Sequence, residues 1–375
     1  MLFRSYSFER ANLRRAFGKD WKKAWQDLSI RLLMRLGMNT LGNWSDPELY
    51  PLFAHVMMLE QFPETTHCIF RDFPDVLSPE YAQNAQTCAA FLRPRREDHG
   101  MIGYFLRNEP SWAFVDGLIV ADEVLRDPED TYCRRGLIDF LKSRYRTVEA
   151  LSQAWKTTFD SFEELRHPIE KASALSEQAE IDLRDFSEKL IERYVGIPSE
   201  ACRREDPNHM NLGMRWAWIS DPAIVSGWRH FDAFSINCYA VDPTEAIRHV
   251  RELGVDLPVM IGEFHFGSLD RGNTATGLEG VLNEEERGKA LSYYVERAAA
   301  DPCGVGCHWF QFSDQFVLGR FDGENYHIGL TDVTLKPHEA MEEAGCRTGM
   351  RLKEIMLGQC PPTDDRPISI PMIAY

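Results

Sequence analysis

Two glutamates stand where an apolar run gives way to a loop. In "GYFLRNEPSW" (Gly103–Trp112) the run ends at Arg107, and Asn108 and Glu109 follow before a proline. In "PVMIGEFHFG" (Pro258–Gly267) Val259, Met260 and Ile261 lead to Gly262 and Glu263. A buried charge is costly unless it is paired or used, so each carboxyl needs a reason to be there. Glycoside hydrolysis supplies one. A first carboxyl protonates the leaving oxygen, and a second attacks the anomeric carbon or activates water. The proton donor must keep its proton near neutrality, which burial and a neighbouring like charge arrange. The competing use of each glutamate is an ion pair, for which Arg107 and Arg215 are at hand.

The surrounding residue types favour sugar. Trp44, Trp112, Trp216, Trp218 and Trp309 fall at or just beyond strand ends. There, ring faces can pack on the apolar C–H face of a pyranose while polar neighbours read its hydroxyls. His265 alternates with Glu263 along "EFHFG", which predicts that both side chains leave the strand on one face. Asp314 and Asp322 are as well placed to cap loops as to touch a ligand. "DGENY" lacks the acidic spacing of an EF-hand calcium loop. The charged stretch Glu170–Arg193 reads as a solvated helix face.

Holding such side chains takes a frame of short strands. Lys19–Leu36 places Trp21, Trp25, Leu28, Leu32 and Leu36 on one helical face, and Gly37 stops it. Seven segments read as strands: Met38–Asn43, Ala54–Glu60, Met101–Glu109, Asn211–Trp218, Ala233–Ala240, Pro258–Gly267 and Gly304–Asp314. The span from about Ala121 to Arg204 reads as mainly helical. This alternation predicts an α/β fold with a parallel sheet. No strand is followed by a Gly-rich phosphate loop, which favours a (β/α)8 TIM barrel over an open doubly wound sheet. In such a barrel the chemistry gathers at the C-terminal strand ends.

The bulk properties agree. A chain of 375 residues is long enough for one large barrel. Its net charge of −16 argues against nucleic acid and other polyanions, and a neutral substrate is indifferent to it. The nine cysteines are odd in number and widely spaced, so no disulfide framework or zinc motif emerges, and free thiols suit a reducing compartment. No apolar run of about 18 residues offers a membrane span. The first fifteen residues lack the features of a signal peptide.

Asn108–Glu109, Tyr239, Glu263 and Trp309 together resemble the clan of retaining (β/α)8 glycosidases. More narrowly, "RLGMNTLGNWSD", "GEFHFGSLDRG" and "GRFDGENYHIGLTDVT" resemble glycoside hydrolase family 50, the β-agarases. "YRTVEALSQAWKTTFDSFEEL" is similar to family 42 β-galactosidases. These motifs run from near Phe8 to about Thr334. The resemblance implies Glu109 as acid/base and Glu263 as nucleophile, with retention of configuration. It implies that Asn108 holds the sugar 2-hydroxyl, that Tyr239 orients the nucleophile and that Trp309 floors the subsite. Asn39, Asn43 and Trp44 would line the pocket, with Trp112, Arg215, His265, Gln311 and Asp314 as further contacts. The implied activity is cleavage of β-galactosidic linkages in agarose-type galactan, with no cofactor or metal. A β-galactosidase acting on small galactosides and a non-catalytic carbohydrate-binding barrel are the alternatives.

The sequence departs from that pattern at its front. If Glu109 ends the fourth strand, only two strands precede it, so the first is expected to be absent or disguised. "LFRSYSF" alternates and could form a strand. Otherwise Met1–Arg15 or a partner subunit is expected to cover the gap, or the strand to lie outside this sequence. Uncovered strand edges predict a chain less stable than its size suggests, or a homo-oligomer. The barrel is assigned to residues 1–345 and a proline-rich surface tail to 346–375. "TLKPHEAM" (Thr334–Met341) replaces a more polar ending. Location stays open: secreted or periplasmic if the N-terminus is incomplete, otherwise cytoplasmic.

Overall fold

The computed structural model describes residues 7–374. Helices α1 (Phe8–Phe17) and α2 (Trp21–Arg35) precede strand β1 (His55–Met58), and a small hairpin follows, β2 (Cys68–Phe70) and β3 (Phe73–Pro74). Next come α3 (Pro79–Ala89) and β4 (Met101–Phe105). The helices α4 (Val120–Arg126), α5 (Tyr132–Tyr145), α6 (Val148–Trp155) and α7 (Glu177–Glu205) fill the expected helical span. The second half runs β5 (Met210–Asn211), β6 (Phe234–Asn237), α8 (Thr244–Glu252), β7 (Val259–Phe264) and β8 (Gly280–Val281). It ends with α9 (Glu284–Ala300), β9 (Gly304–Trp309), α10 (Glu339–Met356) and β10 (Ser369–Ile370). Helix starts coincide with side chains that accept a first-turn N–H, among them Ser78, Thr131, Thr147, Ser176 and Asn283.

Six of these strands pair in parallel, in chain order. β1 pairs with β4 and β4 with β5, while β6 pairs with β7 and β7 with β9. A bridge from Trp216 to Ile236 joins the two groups, and one from Leu41 to His55 adds the segment before β1. Parallel pairing with helical crossovers is the mixed α/β architecture expected from the sequence. Inside the curve, Val56, Phe105, Leu212 and Ala233 form a small apolar core. A far larger core lies between the sheet and its helices.

The ladder does not close among the described residues. Among the described residues no strand pairs with the outer edge of β9, and residues 38–43 contribute one bridge instead of a strand. Every residue of β9 is at least partly exposed, whereas β6 is buried throughout. "LFRSYSF" supplies no described strand: Met1–Tyr6 lie outside the described residues, Ser7 caps α1 and Phe8 begins it. A cavity of about 830 Å³ occupies the seam, lined on one bank by residues 38–46 and on the other by Gly304–Ser313.

Helices span this seam from outside. Gly37 has φ +70°, and a Cβ there would lie 2.6 Å from Cα of Gly349 on α10. A Cβ on Gly345 would lie 2.8 Å from Leu36. Two backbones in direct contact leave room for glycine only. The buried face of α2 is rotated from the expected one: Ser29, Leu32 and Leu33 are buried, whereas Leu28 is exposed. The reason is that α2 packs around the Gly37–α10 contact and leaves Leu28 facing out.

The division drawn at 345/346 falls inside α10, because the helix continues unbroken to Met356. The extended part begins after Gly358 and is strapped down. Thr363 N–H donates to Glu296 at 2.8 Å, Ile368 N–H donates to Glu286 at 2.7 Å, and β10 pairs antiparallel with β8. No helix among the described residues is long and apolar enough to cross a membrane.

Candidate active site

β4 ends at Phe105, and the following loop is pinned by one acid. Asp72 accepts from Arg107 Nη2 at 2.6 Å, from the Ser111 N–H and hydroxyl at 2.9 and 2.6 Å, and from the Trp112 N–H at 2.8 Å. Burial pushes the Asp72 carboxyl up, but these donors outweigh it and hold the acid below its ordinary range. Arg107 is therefore committed to Asp72 and does not neutralise Glu109. Glu109 sits at the crest of the loop with φ +46°.

Glu263, on β7, enters the same space. Its Oε1 accepts from Trp44 Nε1 at 3.0 Å, and Arg215 Nη2 lies 3.4 Å away. Arg215 is itself buried, and its Nη2 donates to Gly262 O at 2.7 Å. A residue absent from the expected set joins the two acids. Asn237 Nδ2, at the end of β6, donates to Glu109 Oε1 at 2.7 Å, to Glu263 Oε2 at 2.9 Å and to Asn108 Oδ1 at 3.2 Å. A signal for it was present in "AFSINCYA", where Asn237 shares the alternation of Tyr239.

The electrostatics differ between the groups. Burial pushes the Glu109 carboxyl up; Asn237 opposes this, the Glu263 charge adds to it and Arg215 opposes it, with a net rise above the usual carboxylate range. Burial, then the charges of Glu263 and Glu109, push the Tyr239 hydroxyl well up. Burial and the Arg215 charge bring His308 down to about 3, so it is neutral near pH 7. Trp44, Glu109 and Arg215 have φ of +69°, +46° and +51°. Non-glycine residues in this region cost on the order of 1–3 kcal/mol each and cluster where function requires an unusual direction.

The other expected residues divide into groups. Trp44 is 55% exposed, with the Arg215 guanidinium 5.8 Å from its ring centre. Asn39, Asn43, Trp309 and Gln311 line the seam cavity beside it. Asn39 accepts from Thr40, Asn43 lies 4.0 Å from Met58 Sδ, Trp309 donates to Ile328 O, and Gln311 donates to Ser313 O. Trp112 is core, packed edge-on against Phe73, Tyr194 and Trp216. His265 is buried edge-on to Tyr239, and its Nε2 accepts from the Leu278 N–H at 2.9 Å. Burial brings its pKa down to about 3. Asp314 accepts from His327, His338 and the Gly329 N–H, and is held in that network.

Glu284, His327 and His338 bring potential ligand atoms within 4.8 Å of one another. Arg287 already donates to Glu284 at 2.8 Å and lies 3.0 Å from His327 Nε2. The positive charge a metal ion would bring is thus supplied by a side chain.

The chain is similar in sequence and in fold to known proteins. The chain is 30% identical over 360 residues to Beta-agarase B of Vibrio sp. (strain JT0107), covering 90% of this chain and 38% of that protein. It therefore spans well under half the length of that relative. The crystal structure of an agarase, AgWH50C, superposes with a TM-score of 0.85 at 28% identity, over 95% of this chain and 54% of that one. An exo-beta-agarase structure gives 0.85 at 27%, over 95% and 50%. The family model for glycoside hydrolase family 42, described as beta-galactosidase, matches residues 76–296. That match takes in more than half of the chain, both strands of the Asn–Glu and Gly–Glu motifs included, and the protein belongs to this family of glycoside hydrolases.

Proposed function

We propose that this chain is a retaining glycoside hydrolase of β-galactosidic linkages, acting on agarose-type chains or their oligosaccharides. Its sheet is read as strands two to eight of a (β/α)8-type barrel. The observation that carries the proposal is the shared donor. Glu109 and Glu263 both accept from Asn237 Nδ2, at 2.7 and 2.9 Å. Their nearest oxygens are therefore separated by no more than those two bonds laid end to end. That reach falls short of the roughly 6.5–9.5 Å of inverting pairs and admits the roughly 5–5.5 Å of retaining ones.

In this reading Glu109, the acid raised by burial, protonates the glycosidic oxygen as Glu263 attacks the anomeric carbon. The C–O bond to the leaving sugar breaks and a glycosyl ester on Glu263 forms. Glu109, now ionised, takes a proton from water, whose oxygen displaces Glu263. Trp44 and Arg215 steady the Glu263 carboxylate, and the exposed part of the Trp44 indole offers a platform for a ring. Trp309 and Gln311, on the opposite bank, are read as sugar contacts, as are Asn39, Asn43, Asn108 and Tyr239.

The agarase relatives follow the chain over nearly its whole length, which supports a galactan substrate. The family 42 match supports a second reading, hydrolysis of small β-galactosides. The test is product release from agarose, neoagaro-oligosaccharides and lactose by the wild type beside Glu263→Ala and Glu109→Gln. Cleavage of agarose-type chains, lost by roughly 10²–10⁴-fold in Glu109→Gln, is the expected result. Cleavage of lactose alone favours the second reading, and near-normal turnover in either variant overturns the site. The open sheet edges also favour self-association; one monomeric species at every concentration in sedimentation would count against that.

A further inference from the structure

We propose that Asn237 is a positioning residue that governs when Glu109 releases its proton, by donating to the Glu109 carboxylate while anchored on Glu263. The inference rests on the reading of Glu109 as the acid. An acid buried beside a second carboxylate holds its proton, yet the reaction requires that proton to leave and later return. A donor aimed at the oxygen that becomes charged favours the ionised form at that moment.

The local geometry is built for this donor. Asn237 is 4% exposed and ends a fully buried strand. Its Nδ2 is the atom facing both glutamates, as their lone pairs require. Its Oδ1 points back over Gly262, where an added Cβ would lie 2.8 Å from it and 2.9 Å from Arg215 Nε. Glycine before Glu263 thus gives Asn237 and Arg215 the room to approach side by side. The charged groups bearing on Glu109 are Glu263 from β7 and Arg215 from beyond β5. Tyr239, two residues after Asn237, senses both glutamates.

The experiment compares wild type with Asn237→Ala and Asn237→Leu, both without a donor but differing in volume. Carbon-13 NMR titration of glutamate-labelled protein, with the Glu109 signal assigned by Glu109→Gln, reads its ionisation without needing turnover. The expected result is a Glu109 midpoint higher by roughly half a pH unit or more in both variants. Where galactoside hydrolysis is measurable, the alkaline limb of kcat/KM should rise in parallel. An unchanged Glu109 midpoint in both variants, with native melting behaviour, overturns the role of Asn237. Lack of hydrolysis in the wild type would overturn the glycosidase reading and leave the titration to decide on Asn237 by itself.

Discussion

Trp44 Nε1 donates to Glu263 Oε1 across the open seam of the sheet, at 3.0 Å. The two residues lie 219 positions apart in the sequence and come from chain segments that share no strand pairing. Removing the donor while keeping a ring separates two roles of Trp44. Trp44→Phe should lower kcat roughly tenfold with KM nearly unchanged, since a hydrogen bond to a charged group is lost. Trp44→Ala should raise KM as well. Steady-state kinetics on the best substrate checks both, and an unchanged kcat in Trp44→Phe would detach this indole from the role proposed for Glu263.

Asp72 holds the Glu109 loop through four donors and touches neither glutamate in any hydrogen bond described above. Asp72→Asn should leave helix content intact but lower kcat roughly ten- to hundredfold, because small misplacements of a reacting group are costly. Circular dichroism beside kinetics separates this from unfolding. Full activity in Asp72→Asn would mean that the loop holds its shape by packing alone.

Stability should depend on acid through the buried network around Asp314. Burial pushes Asp314 up, yet its bonds to His327 and His338 and the Arg287 charge hold it well below the carboxylate range. Burial likewise raises Glu284, but His327 and Arg287 bring it down to about 2. Both groups are depressed in the folded state, so their contribution is complete above the ordinary carboxylate range. It is lost as pH falls from about 4.5 toward about 2. The melting temperature should fall across that window, and less steeply in Glu284→Gln than in wild type. Equal slopes would remove the network from the acid response.

The Gly37–Gly349 contact predicts a stability defect remote from the acids. Gly349→Val should destabilise by about 1–3 kcal/mol, as overpacking typically does, and lower the urea midpoint. A midpoint equal to that of wild type would show that α10 can shift to accept the extra atoms.

Much of this was readable in advance. The two glutamates stood out because a carboxyl at the end of an apolar run is costly unless used, and the parallel order followed from alternating strand and helix patterns. Other features were not legible. Trp112 carries the same residue type as Trp44 and an equal claim to a strand end, but only packing reveals that Phe73 and Tyr194 enclose it. Asp314 looked like a ligand contact because sequence cannot show His327 and His338 converging on it from later turns. Arg107 was a candidate partner for Glu109 until Asp72, 35 residues earlier, proved to take it. Residues 38–43 read as a full strand by composition, yet a strand exists only where a neighbour completes its ladder.

A closed barrel has a fixed bore, set by strand number and stagger. Among the described residues this sheet leaves its edges apart, and Trp44 and Trp309 stand on opposite banks of the cavity between them. The clasp that holds the banks in register is a joint between helix and turn, Gly37 on Gly349, at the other end of the segment that carries Trp44. The gauge of the mouth is therefore a mechanical property of the outer layer. Bulk added at the clasp would be felt as a wider or narrower slot between Trp44 and Trp309, without touching either.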